Sequence, residues 1–124
     1  MNKVTCLIGG NMIQNRVNDE LRQYLIRFGL DFGNYGTIFI KTGLIFMLEQ
    51  SDIIFSNDIF KRLSIEYNKE IETIKKGIRV SINDALKRGL FNFDGRVLEK
   101  LSTKKAFIIL YQEFVKNCNC FMIR

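Results

Sequence analysis

The residues that decide the fold are 56–89, which read SNDIFKRLSIEYNKEIETIKKGIRVSINDALKRG. Their pattern predicts a short helix over residues 57–65, a turn over 66–69 and a longer helix over 70–88 that ends at Gly89. A short helix, a tight turn and a longer second helix are the parts of a helix-turn-helix. In DNA-binding proteins of this kind the second helix enters the major groove.

The longer predicted helix has one apolar side and one polar side. When its residues are placed about 100° apart, five apolar side chains fall on one stripe, with Leu86 at its edge. The five are Ile71, Ile74, Ile78, Ile82 and Ala85. This stripe would dock on the shorter helix, which Ser56 is predicted to cap. The inward side chains of the shorter helix are predicted to be Ile59, Phe60 and Leu63.

The polar side of the longer helix carries residue types that suit a major groove. Arg79 can bond bidentately to guanine, Asn83 can pair with adenine, and Val80 can contact a thymine methyl group. The predicted base contacts are Thr73, Lys76, Arg79, Val80 and Asn83. Any surface helix shows polar residues outside, so the pattern alone leaves a solvated amphipathic helix as the alternative.

Charge is unevenly distributed along the chain, which has 124 residues and a formal net charge of +6. Residues 1–53 carry five basic and five acidic side chains, so the whole excess lies in residues 54–124. A basic surface of this kind favours contact with phosphates. The predicted phosphate contacts are Lys61, Arg62, Lys69, Lys75, Lys87, Arg96, Lys104 and Lys105.

Three further helices are predicted, over residues 18–28, 34–49 and 103–116. Asn18 is expected to cap the first helix and Gly29 to end it. Residues 34–49 are apolar nearly all round, which predicts a central buried helix.

Residues 90–101 contain a turn signal, Asn92-Phe93-Asp94-Gly95. This turn joins either two short strands, which would form a small wing over residues 90–96, or two helices. The chain is therefore predicted to be all-α, a compact domain of about five to six helices around the helix-turn-helix. The expected division is an N-terminal arm over residues 1–17, one helical DNA-binding domain over 18–117 and a tail over 118–124.

Composition argues against catalysis. The chain has no histidine, so catalytic triads that need one and the commonest general base at neutral pH are absent. No glycine-rich phosphate loop with its lysine is present. Cys118 and Cys120, without partners elsewhere, do not make a tetrahedral metal site. We therefore expect no enzymatic activity, no cofactor and no metal.

Cysteine use and hydropathy bear on the compartment. The three cysteines lack the spacing of a disulfide framework, which favours a reducing cytoplasm. The most apolar stretch, residues 35–48, contains Lys41 and falls short of the roughly 20 residues that span a bilayer. We expect a cytoplasmic protein that does not enter the membrane.

Residues from about 25 to 116 resemble the DNA-binding effector domain of the sporulation response regulators of spore-forming Firmicutes, the stage-zero sporulation protein A family. The segments that carry the resemblance are Phe28-Gly29-Leu30, Gly36-Thr37-Ile38-Phe39-Ile40, Tyr67-Asn68, Ile78-Arg79, Ile82, Ala85 and Arg88-Gly89. The resemblance implies an all-helical domain that binds short DNA sites, often as tandem copies, and regulates transcription.

Departures from that family change what the resemblance implies. The chain before residue 25 is too short for the family's receiver domain, so phosphorylation switching is not expected. Arg79 matches a family arginine, and Lys76 replaces a second one conservatively. Three further positions differ. Thr73 stands where the family has another arginine, Lys75 where it has glutamate, and Val80 where it has histidine. Because base readout depends on individual side chains, we expect DNA binding with a different target.

The function expected from the sequence is sequence-specific binding of double-stranded DNA by a stand-alone transcriptional regulator. One alternative is an accessory DNA-binding factor in plasmid or phage replication, partition or transfer. Another is a protein-interaction module derived from a helix-turn-helix that no longer binds DNA. A homodimer or tandem copies on DNA are expected, because one such helix reads only a few base pairs. RNA polymerase or another protein is a further candidate partner.

Overall fold

The computed structural model describes residues 10–50 and 57–117 of the chain. These residues form five helices and one two-stranded antiparallel hairpin, so the fold is all-α, as the sequence predicts. In chain order the elements are α1 (Gly10–Arg27), α2 (Tyr35–Gln50), α3 (Asp58–Tyr67), α4 (Ile71–Lys87), β1 (Asn92–Phe93), β2 (Arg96–Val97) and α5 (Thr103–Asn117). One hydrophobic core contains side chains from all five helices.

The first helix is longer than the sequence predicts. It begins at Gly10 rather than at Asn18, so the predicted N-terminal arm is helical over residues 10–17, and residues 1–9 lie outside the described part of the chain. The apolar stripe explains the difference, because Val17 is buried in line with Leu21 of the same helix. The end of α1 agrees with the prediction, since Gly29 adopts a φ of +86° just beyond it.

Helix α2 is the central element, as its apolar surface predicts. It packs against each of the other four helices. Phe39, Ile40, Leu44 and Met47 are almost completely buried along it. The positions of the other helices therefore depend on how each one meets α2.

The closest approach in the core is between α2 and α4, at Gly36 and Gly77. A Cβ atom built on Gly36 would overlap the carbonyl oxygen of Gly77, so the backbones of the two helices are in direct contact there. Beside this contact, the buried Thr37 Oγ1 donates a hydrogen bond of 3.2 Å to Ser81 Oγ, one turn beyond Gly77 on α4. Buried hydroxyls that bond each other avoid the cost of an unsatisfied polar group. The crossing thus fixes the direction and the rotation of α4.

The turn between α3 and α4 comes two residues later than predicted. Helix α3 continues through Tyr67, whose ring centroid lies 5.1 Å from that of Phe39 and whose hydroxyl shares a hydrogen bond of 2.6 Å with Thr42. Asn68 then adopts a left-handed conformation with a φ of +53°. The predicted capping residue of this helix, Ser56, lies outside the described residues.

Residues 92–97 form the strand alternative left open by the sequence. Asn92 pairs with Val97 and Phe93 with Arg96. The two residues of the turn, Asp94 and Gly95, have φ values of +56° and +77°, as a tight two-residue hairpin turn requires. Of the two alternatives, the small wing around residues 90–96 is therefore the one present, as a hairpin.

Helix α5 closes the core against α1 and α2. Ser102 caps it, because its Oγ accepts a hydrogen bond of 3.2 Å from the backbone N–H of Lys105. From α1, the hydroxyl of Tyr24 donates a hydrogen bond of 3.1 Å to the carbonyl oxygen of Leu110.

The predicted tail, residues 118–124, lies outside the described residues. None of the helices in the described part of the chain is both long and apolar enough to cross a bilayer.

The α2–α4 crossing predicts an asymmetric response to alanine. We expect Gly36→Ala to lower the free energy of unfolding by about 3 kcal/mol, at the upper end of the usual cost of overpacking, because the new methyl group meets backbone that cannot move aside. At Gly77 the new Cβ would lie 3.3 Å from the Phe39 ring. That mild crowding opposes the gain in helix propensity of about 1 kcal/mol, so Gly77→Ala should change stability little. Urea unfolding of both variants checks this, and equal losses would contradict the described crossing.

Candidate nucleic-acid interface

Helix α4 has a buried side and an exposed side, as predicted. Six of its residues are buried against α2, α3 and α5, and they include one polar residue, Ser81. The six are Ile74, Ile78, Ser81, Ile82, Ala85 and Leu86. Ile71, predicted to belong to this stripe, is only half-buried at the start of the helix.

All five predicted base-contact residues are exposed on α4. By helical geometry Lys76, Val80 and Asn83 lie within a sector of about 60°, directly opposite the buried side. Thr73 and Arg79 flank this sector on opposite sides. Val80 is 50% exposed, so an apolar group lies in the middle of a polar and basic surface. We call these five residues the α4 outer face.

Two of the predicted phosphate contacts form intramolecular contacts. The guanidinium carbon of Arg62 lies 3.8 Å from the centre of the Phe46 ring, and its Nη2 lies 3.3 Å from Glu49 Oε1. Both partners belong to α2, so Arg62 links α3 to α2. A cation on an aromatic face beside a carboxylate stabilises the packing of the two helices. The geometry thus supports a structural role for Arg62.

Lys75 lies at the junction of α3 and α4. Its Nζ is 5.2 Å from the centre of the Phe60 ring and 3.9 Å from Glu72 Oε2. The aromatic partner comes from α3 and the carboxylate from the preceding turn of α4. Its charge is therefore partly matched within the protein, unlike the charge that a free surface lysine offers to a phosphate.

The remaining predicted phosphate contacts are exposed on four elements and in one turn. Lys87 is in the last turn of α4, on the same side as the α4 outer face. Lys61 is on α3, and Lys69 is in the turn that leads into α4. Arg96 lies on β2, in the hairpin that follows α4. Lys104 and Lys105 lie at the start of α5.

Arg88 has a role that the sequence analysis did not assign. Its Nη2 donates hydrogen bonds of 2.9 Å to Asp84 Oδ2 and 2.7 Å to the carbonyl oxygen of Gly29. The second bond joins the end of α4 to the end of α1. The spacing of Asp84 and Arg88, four residues apart on one helix, is the signal that could have indicated the ion pair.

Among residues 10–50 and 57–117, no group of three acidic, cysteine or histidine side chains is arranged to hold a metal ion. Cys118 and Cys120 lie outside these residues.

Comparison of the chain with protein-family models, with curated proteins and with solved structures gives no match. The geometry and charge of the α4 outer face are therefore the features that bear on its partner.

The contacts of Arg62 predict a loss of stability when it is truncated. We expect Arg62→Ala to lower the free energy of unfolding by about 1 kcal/mol, because it removes the ring contact and the partly exposed ion pair. Lys61→Ala is the matched control, since Lys61 is the neighbouring exposed cation on α3. It should change stability by less than about 0.5 kcal/mol. Chemical denaturation of both variants measures the difference, and an unchanged Arg62→Ala would refute the structural role.

Proposed function

We propose that this protein binds double-stranded DNA sequence-specifically, with α4 in the major groove, and that it regulates transcription. The observation that carries the proposal is the α4 outer face. Its side chains are exposed, while the opposite side of the same helix is fixed in the core. A rigid helix with free polar and basic groups is what direct base readout requires.

The chemistry of the outer face supports readout of mixed sequence. Arg79 offers two parallel N–H donors for O6 and N7 of guanine, and Asn83 offers a donor and an acceptor for adenine. Val80 offers an apolar contact to a thymine methyl group. Thr73 extends this set at one edge of the face, and Lys76 adds a cation within its central sector.

Phosphate contacts supply the part of the affinity that does not depend on sequence. Arg88, which follows α4 directly, is engaged by Asp84 and Gly29. Among the other exposed cations that flank the outer face of α4, the nearest in the chain are Lys61, Lys69, Lys87 and Arg96. We assign phosphate contacts to these four ahead of Arg62 and Lys75, whose charges are engaged by carboxylates and rings of the protein. Lys104 and Lys105 would add contacts if the DNA extends past the start of α5.

The proposed regulator would act as a homodimer or as tandem copies, since one helix reads only a few base pairs. The resemblance to the sporulation regulators favours transcription over plasmid or phage maintenance, which uses the same binding chemistry. A protein-interaction module is the second candidate. It is favoured by two exposed apolar side chains, Ile65 at 82% and Val80 at 50% exposure.

Selection from a random pool of duplex DNA tests the proposal directly. We expect the wild-type protein to enrich a defined motif, and Arg79→Ala to lose it, because a bidentate arginine–guanine pair contributes roughly 1–3 kcal/mol of discrimination. Lys87→Ala is the matched control, which should weaken binding to all sequences and keep the motif. If the wild-type protein enriches nothing, the protein-interaction module becomes the better hypothesis.

Salt dependence separates the two candidate functions by a different property. If six or more phosphates are contacted, affinity for duplex DNA should fall by roughly 10³-fold or more between 50 and 200 mM salt. Fluorescence anisotropy with a labelled duplex measures the slope. Lys61→Ala and Lys87→Ala should each reduce the slope by about one. A flat salt profile would count against phosphate binding.

A further inference from the structure

The hairpin of β1 and β2 is fixed to the end of α4 by contacts on both sides of its base. The backbone N–H of Leu90 donates a hydrogen bond of 3.1 Å to the carbonyl oxygen of Ala85, and that of Leu98 donates one of 2.9 Å to Phe91. Phe91 is completely buried, and its ring lies 5.0 Å from that of Phe28. The position of the hairpin relative to α4 is therefore set by the core.

Beyond this base the hairpin is exposed. Asn92, Asp94, Arg96 and Val97 are all exposed, and Phe93 alone among the strand residues is half-buried. A two-stranded hairpin whose side chains bury so little is not needed to complete the core. Its outer residues are available for a partner that meets α4 at the same time.

The dimensions of DNA indicate which part of a duplex the hairpin would meet while α4 lies in the major groove. An α-helix with its side chains is about 10–12 Å across and fills a major groove about 12 Å wide. With α4 in the groove, we place the hairpin, which is fixed to the end of this helix, over the flanking sugar–phosphate backbone. On the far side of that backbone is the minor groove, which is about 6 Å wide and admits single side chains.

The geometry points to Arg96 entering the minor groove beside the site read by α4, with a preference for A·T pairs there. This inference rests on the proposed function, and it replaces the phosphate contact assigned there to Arg96 with a contact in a second groove. A·T-rich minor grooves are narrow and strongly negative, which attracts arginine. A guanidinium group is more weakly hydrated than an ammonium group, so it costs less to desolvate in that groove.

Asp94 at the turn carries the opposite charge and gives an independent test of where the hairpin lies. If the hairpin crosses the DNA backbone, this carboxylate weakens binding. Asparagine tolerates the positive φ of this residue as well as aspartate does. Asp94→Asn therefore removes the charge without straining the turn.

The experiment uses the motif recovered from the random pool, flanked by about eight base pairs of A·T, of G·C or of inosine·cytosine. An inosine·cytosine pair has the minor-groove pattern of A·T and the major-groove pattern of G·C. We expect the wild-type protein to bind the A·T and inosine·cytosine duplexes equally, and the G·C duplex roughly fivefold or more weakly. Arg96→Ala should bind all three equally. Asp94→Asn should bind all three roughly two- to tenfold more tightly at low salt.

Lys100→Ala is the matched control, because Lys100 is another exposed cation just beyond the hairpin. It should leave the ratios among the three duplexes unchanged. The inference is overturned if inosine·cytosine behaves as G·C does, if Arg96→Ala keeps the A·T preference, or if Asp94→Asn has no effect. Those results, with an Arg79-dependent motif, leave the proposed function intact. If the wild-type protein binds no duplex at low salt, both fail.

Discussion

The structure depends on the contact of α2 with α4 at Gly36 and Gly77. Because neither residue has a side chain, the two backbones meet directly, and the Thr37–Ser81 hydrogen bond sets the rotation of one helix against the other. Helix α2 also packs against α1, α3 and α5. This one crossing therefore determines which side of α4 faces water, and hence which side chains a partner would meet.

Local sequence patterns were sufficient for most of the fold. The predicted bounds of α2, α4 and α5 differ from the observed ones by one residue at most, because each helix has a clear apolar pattern. The errors occur where tertiary contacts determine where a helix begins or ends. Asn18 has the chemistry of a cap, but the buried Val17 extends α1 past it. Tyr67 extends α3 because its ring packs on Phe39, a neighbour that no local pattern reveals. The choice of a hairpin likewise reflects burial of Phe91 on Phe28.

The candidate site, like the fold, was predicted where local patterns suffice and missed where tertiary contacts matter. Exposure of Thr73, Lys76, Arg79, Val80 and Asn83 follows from helical periodicity alone, and the structure agrees with it. The engagement of Arg62 could not be predicted, because Phe46 and Glu49 belong to another helix. For Lys75 the partner Glu72 is visible in the sequence as a neighbour three residues away, but the Phe60 ring is not. Charge in a sequence identifies cations, whereas tertiary packing determines which of them remain free.

The exposure of the α4 outer face has a consequence for how such a protein can evolve. Thr73, Lys76, Val80 and Asn83 belong to no part of the hydrophobic core, so exchanging them leaves the stabilising contacts of the fold in place. Substitutions at such surface positions usually change the free energy of unfolding by less than about 0.5 kcal/mol. Under the proposed function, recognition and stability would thus be encoded by separate residues of one helix. A lineage with this scaffold would then acquire new targets by substitutions at the outer positions, while the inner positions stay constrained by the core.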